Sequence, residues 1–254
     1  MTGFRPDHAG ADVRVSPNFG PRLGVARPDM IVLHYTGMPT GAAAEAWLCD
    51  SASEVSSHYL VHKDGRIVQM VRESDRAWHA GKSSWAGVTD INSRSVGVEI
   101  VNPGHALGYR TFPRRQIEAV IGLCTGIVQR HGIAGERVLA HSDVAPGRKI
   151  DPGEKFPWKA LATAGIGHWV PAAPIRRGPS LCLGDQGCAV EELQSMLALY
   201  GYGVEITGQF DDQTRIAVEA FQRHFRPRRV DGIADGSTLR TLRTALDGVA
   251  AQLG

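Results

Sequence analysis

Met30-Ile31-Val32-Leu33-His34-Tyr35 is a short, nearly continuous apolar run that closes on an imidazole and a phenol. Its length and composition read as a buried strand. A second such run, Ser95-Val96-Gly97-Val98-Glu99-Ile100-Val101, carries a single acid. Between them, residues 40–50 are rich in helix formers behind a Thr that can cap. Residues 58–62 and 66–71 flank Lys63-Asp64-Gly65, and Asp-Gly between alternating apolar runs predicts a hairpin. Residues 113–131 repeat Ile117, Val120, Ile121, Cys124, Ile127 and Val128 at helical spacing. Pro113 suits the first turn of that helix and Gly132 its stop. Residues 137–140 then form a short strand that runs into a loop starting at His141. Strands interleaved with helices predict an α/β domain: a central mixed β-sheet flanked by helices.

The chain has 254 residues, 43% apolar and 21% charged, with a net charge of +2. This is an ordinary globular composition, long enough for one large or two modest domains. The charge is too small and too scattered to imply nucleic-acid binding. The group Arg226, Arg228, Arg229 reads as solvated surface. Residues 1–20 are polar and lack the apolar core of a secretion signal. No run approaches the roughly 18 apolar residues of a membrane helix, so membrane insertion is not expected. Cys49, Cys124, Cys182 and Cys188 include no CxxC pair, which argues against a cysteine metal site. They are expected as free thiols, although Cys182 and Cys188 could pair in an oxidising compartment.

Residues 165–180 contain several Gly and Pro and little periodicity, which reads as a linker. Beyond it, helical patterns near 187–200, 211–225 and 235–249 predict a small three-helix bundle. They would bury Val190, Leu193, Leu197, Ile216, Val218, Phe221, Leu239 and Leu242. The expected division is 1–164, a catalytic domain; 165–180, a linker; and 181–254, a helical domain.

Chemistry concentrates in His141-Ser142-Asp143-Val144-Ala145-Pro146-Gly147-Arg148-Lys149-Ile150-Asp151-Pro152-Gly153. With His34 this offers two imidazoles and a carboxylate, a common ligand set for a catalytic zinc with an open fourth position. Each residue also has an ordinary reading: a hydrogen-bonded core histidine for His34 or His141, a turn former for Asp151. Such a zinc would activate water and polarise a carbonyl. Glu99, a lone acid in an apolar strand, is the candidate general base, or else half of a buried ion pair. Lys149 lies two residues before Asp151. In an extended segment it would share that side and could stabilise an oxyanion, with Arg148 facing away; plain exposure is the other reading. His58 and His79 are next-ranked site candidates. His8, His105, His131, His168 and His224 have no supporting neighbours.

Several ordered elements between about 30 and 158 resemble one family. They are Ile31-Val32-Leu33-His34-Tyr35-Thr36, Ser57-His58-Tyr59-Leu60-Val61, Asp64-Gly65-Arg66-Ile67-Val68-Gln69, Arg76-Ala77-Trp78-His79-Ala80-Gly81, the Glu99 strand, the His141–Asp151 stretch, and Phe156-Pro157-Trp158. Together they resemble the zinc-dependent N-acetylmuramoyl-L-alanine amidases, a family that includes phage amidases and peptidoglycan recognition proteins. The resemblance implies Zn2+ on His34, His141 and Asp151, with Glu99 and Lys149 as the catalytic pair. Tyr35, His58, Trp78 and His79 would line the substrate groove. The implied reaction cleaves the amide between N-acetylmuramic, or 1,6-anhydro-muramic, acid and L-alanine of the stem peptide. Residues 185–246 resemble a small peptidoglycan-binding module, from which the insert Arg226-Pro227-Arg228-Arg229 departs. The implied partner is a muropeptide or peptidoglycan, handled by a monomer. A non-catalytic peptidoglycan recognition protein is the rival, and the intact ligand set argues against it. The missing leader suggests a cytoplasmic location, the wall-binding resemblance a periplasmic one.

Overall fold

The computed structural model of the chain describes residues 4–253. Its strands are β1 (Ala11–Val13), β2 (Phe19–Pro21), β3 (Met30–Tyr35), β4 (Tyr59–Val61), β5 (Ile67–Gln69), β6 (Asp75–Ala77), β7 (Ser95–Ile100), β8 (Val138–Ala140), β9 (Ser180–Leu181) and β10 (Ala234–Asp235). Its α-helices are α1 (Gly41–Leu48), α2 (Ile91–Arg94), α3 (Arg114–His131), α4 (His141–Val144), α5 (Trp158–Thr163), α6 (Cys188–Tyr200), α7 (Asp212–Phe225) and α8 (Gly236–Leu253).

The main sheet runs β1-β5-β4-β7-β3-β8. Only the β4–β5 hairpin is antiparallel in it, closed by Gly65 at φ +94°; the other neighbours are parallel. It is therefore the mixed sheet that the pattern predicts. Residues two apart share a face, and the core divides accordingly. Ile31, Leu33, Val96, Val98, Ile100, Val138 and Ala140 pack on one side, against Ile117, Val120, Leu123, Cys124 and Ile127 of α3. Gly132, at φ +68°, stops that helix by donating to Val128 O. Met30, Val32 and Leu139 point to the opposite side, where Leu60 meets Ala44 and Leu48 of α1.

That second side has two covers. One is α1; the other is the C-terminal bundle of α6, α7 and α8. Met30, Val32, Trp85, Leu139 and Val144 share one core with Leu193, Leu197, Phe221, Phe225 and Leu242. Of the apolar residues the pattern assigns to the bundle core, Ile216 and Leu239 are only half-buried. The bundle repeats one device. Gln194 binds the loop after α6 by accepting from Thr207 N and Gly208 N, and Gln222 binds the next loop through Asp231 N and Gly232 N.

Residues 165–180 differ from a free linker. Ile166, His168 and Val170 are buried. His168 Nδ1 lies 2.8 Å from Tyr200 OH, and Ala173 exchanges hydrogen bonds with Thr241 and Ser237. Gly and Pro made this segment irregular, but its spaced apolar residues fasten it to the bundle. Arg226 also departs from the sequence reading. It is 1% exposed, donates to Thr238 Oγ1 and lies near Asp231 and Asp235. Those carboxylates become its neighbours only when the α7–α8 turn closes. All four cysteines are free.

Candidate active site

The alternation that builds the core also builds the site. His34 continues the Met30, Val32 side of β3, and its register partner on β7 is Glu99. His141 follows Ala140, the last residue of β8, at the first position of α4. Ser142 N donates to Asp151 O, which draws the Asp151 loop against α4. Tyr109 OH holds the loop from the other side, donating to Pro152 O at 2.6 Å. Three donor atoms consequently converge: His34 Nδ1 and His141 Nδ1 are 2.8 Å apart, and Asp151 Oδ2 is 3.1 and 3.0 Å from them. All three residues are buried, and they form a possible metal cage.

Hydrogen bonds assign the ring protons. Ser95 Oγ donates to Ile91 O at 2.6 Å, so it can only accept from His79 Nε2, 3.1 Å away. His79 Nδ1 is then an acceptor for His34 Nε2 at 3.0 Å. His141 Nε2 faces the carbonyl of Ala80 at 3.2 Å and must donate to it. Both Nδ1 atoms are thereby left with lone pairs, pointed at each other and at a carboxylate oxygen. Burial, followed by the adjacent His141, lowers the His34 pKa to about 4, keeping the ring neutral at pH 7. Lone pairs this close repel unless a cation lies among them. Donors around a tetrahedral ion with bonds of about 2.0 Å stand roughly 3.3 Å apart, so the residues fit a metal.

Glu99 forms no ion pair among the described residues. Its Oε2 is enclosed and has no hydrogen-bond partner. Burial raises its pKa well above the ordinary value, with Asp151 adding repulsion and Lys149 opposing it. Lys149 lines the same cleft. Arg148 N and Lys149 N both donate to Ala145 O, so the segment is a turn. Arg148 therefore also faces the cleft, its guanidinium donating to Lys82 O and Ala80 O.

The cleft has a volume of about 440 Å³ and opens between α1 and the Arg148 turn. Tyr35, Trp78 and His79 line it. His58 does not belong to it, contrary to the sequence expectation. It is fully buried, accepts from Gly97 N and has its Nε2 3.0 Å from Asp75 O. Its parity in the hairpin sends it inward against Arg22. Sequence reading missed Trp47, Met38 and Val55, which supply the cleft's apolar wall. Trp47 is 49% exposed on α1, and its one signal was a large aromatic in an otherwise small-residue helix. His105 also gains a place, 3.1 Å from Tyr35 OH and stacked on Tyr109.

A carboxylate poised beside a cation-seeking cage, at the floor of a solvent-open cleft, is built to add water to a polarised bond; the chain is a hydrolase. Comparison with known proteins gives the kind. Residues 24–154 match the N-acetylmuramoyl-L-alanine amidase family, and residues 186–242 match the peptidoglycan binding domain family. The N-acetylmuramoyl-L-alanine amidase AmiD of Escherichia coli is 38% identical over 229 residues, covering 84% of this chain and 80% of AmiD. The structure of AmiD with anhydro-N-acetylmuramic acid-L-Ala-D-gamma-Glu-L-Lys superposes with a TM-score of 0.75 at 36% identity, covering 92% of this chain and 93% of that one. AmpDh3 of Pseudomonas aeruginosa in complex with anhydromuramic pentapeptide gives 0.70 at 32% identity, with 91% and 93% covered. The chain belongs to the N-acetylmuramoyl-L-alanine amidase family and has that enzymatic activity.

Proposed function

We propose that the group held by His34, His141 and Asp151 is a zinc ion, with Glu99 as general base and Lys149 as the cation that stabilises the oxyanion. Two imidazoles and one carboxylate suit zinc and leave a position open. When bound, zinc would supply Lewis-acid activation of water and of the substrate carbonyl. The Glu99 carboxylate takes a proton from the attacking water as the new C–O bond forms at the lactyl carbonyl carbon. The Lys149 ammonium stabilises the negative charge that develops on the carbonyl oxygen. As the C–N bond breaks, Glu99 passes its proton to the departing amine of L-alanine, leaving a free stem peptide and a lactyl carboxylic acid, which loses its remaining proton to water. The raised pKa of Glu99 suits a group that must both gain and lose that proton. The unpartnered Oε2 beside three converging donors carries this reading.

The substrate proposed is a soluble 1,6-anhydro-muramyl peptide, which the ligands in the AmiD and AmpDh3 complexes support. Tyr35 and Trp78 would meet it directly, and His79 would act through His34. The chain is proposed to work as a monomer, with residues 1–164 bearing the chemistry and 181–254 contacting glycan. No helix is long and apolar enough to cross a membrane. A cytoplasmic location, where soluble fragments are the available substrate, goes with this reading.

Paired substitutions test it. Glu99→Ala should retain stoichiometric zinc and lose about 10²–10⁴ in turnover; His141→Ala should lose both. Zinc loss in the Glu99 variant would make that residue a ligand and overturn its role as base.

A further inference from the structure

We propose that His224 and Tyr202, both on the C-terminal bundle, are positioning residues for the active site: through Asp143 they fix the short helix that carries His141. The inference rests on reading His34, His141 and Asp151 as the metal ligands.

Asp143 is fully buried, and a carboxylate in that position is costly unless donors surround it. It has three. Ala140 N donates to Oδ2 at 2.8 Å, Tyr202 OH donates to Oδ1 at 2.8 Å, and His224 Nδ1 lies 2.7 Å from Oδ2. Two of the three come from the bundle. The helix they grip, α4, is a single turn, too short to hold its own orientation. Asp143 is two residues beyond His141, about 200° around the helix. One side of α4 thus aims a ligand into the cleft while the opposite side is locked to the bundle. Rotation of α4 would swing His141 Nδ1 away from His34 and Asp151.

The two anchors are themselves fixed. The His224 ring is sandwiched between Trp158, at 3.8 Å and 17°, and Phe225, at 4.2 Å and 9°. Trp158 closes the stretch that leaves Asp151, so one imidazole touches both ligand-bearing segments. Tyr202 lies edge-on to Trp85 at 5.0 Å. Beside it, Gly201 sits at φ +132° where an added Cβ would come within 2.5 Å of Trp85, and its carbonyl accepts from Ala86 N at 2.8 Å. Packing alone needs no polar triad in this interface. A charge gripped from two directions sets an orientation, which apolar contact does not.

Full-length variants test the inference. His224→Phe keeps the aromatic stack and removes the donor; His224→Asn puts an amide N–H near the position of Nδ1; Tyr202→Phe removes one oxygen. Zinc affinity would be read by chelator competition, and ligand geometry by the visible absorption of the cobalt(II)-loaded protein. His224→Phe should bind zinc about 10–100-fold more weakly with an altered cobalt spectrum, and His224→Asn should recover most of the affinity. Tyr202→Phe should change both readouts in the same sense, and it carries the test should His224→Phe fail to fold. Zinc affinity and cobalt spectra indistinguishable from wild type in the folded phenylalanine variants would overturn the proposal while wild type binds zinc and His141→Ala does not. A wild-type protein that binds no zinc would overturn the ligand reading and this inference with it.

Discussion

His34 shows how far one residue can be read from its neighbours. Its side of the sheet follows from the parity of Met30 and Val32, and so does its proximity to Glu99 once β3 and β7 pair. Which nitrogen it offers does not follow. That is decided by a relay from Ile91 O through Ser95 and His79, residues that only the folded chain brings into line. His58 was misread for a related reason: it sits beside family-like residues in sequence, but Gly97 and Asp75 consume both its nitrogens. Burial and then Arg22 push its pKa down to about 3. Being depressed, it stabilises the fold fully above its unfolded value near 6.5, and that stability is lost as pH falls toward 3. One such histidine costs about 2 kcal/mol between pH 7 and pH 5. Urea unfolding of chelator-treated protein should show that drop, with a smaller one in His58→Gln. Equal stability at the two pH values in wild type would contradict a neutral, buried His58.

Among elements, α3 and the β4–β5 hairpin were plain in the sequence, since an apolar stripe and an Asp-Gly turn are local signals. The Arg148 turn was not. Arg148 was expected to face away from Lys149, whereas backbone bonding to Ala145 O curls residues 145–149 and brings Arg148 as well as Lys149 to the cleft. The β7 strand makes a sharper demand. A Cβ at Gly97 would lie 2.5 Å from the His79 ring, so the strand must be bare there for His79 to reach His34. Gly97→Ala should cost about 1–3 kcal/mol by overpacking and weaken metal binding as His79 shifts. Thermal unfolding with zinc titration would check this; an unchanged zinc affinity would show that His79 does not orient His34.

At the scale of the whole molecule, the sequence suggested two domains joined by a linker, and in the structure residues of both share one core. Composition could not reveal this, because the apolar residues at the junction, Val144, Trp85 and Tyr202, each look like ordinary core residues of their own segment. Met30, Val32, Leu139 and Trp85 are at most 2% exposed, and their cover includes the bundle. Each fully buried side chain of this kind contributes about 1.5–3 kcal/mol. A fragment ending at residue 179 should therefore aggregate, or melt well below the intact chain. A monomeric fragment with the intact chain's melting temperature would contradict the shared core. His224 and Arg226 were unreadable for the same reason: their partners lie across folded boundaries.

The most direct test of the central claim is mass spectrometry of the products when zinc-loaded, full-length protein meets a soluble anhydro-muropeptide and, separately, intact sacculi. The account predicts free stem peptide beginning at L-alanine, together with the peptide-free anhydro-muramyl sugar, from the soluble fragment. Failure to release that peptide from the soluble fragment, with zinc bound at one per chain, would contradict it.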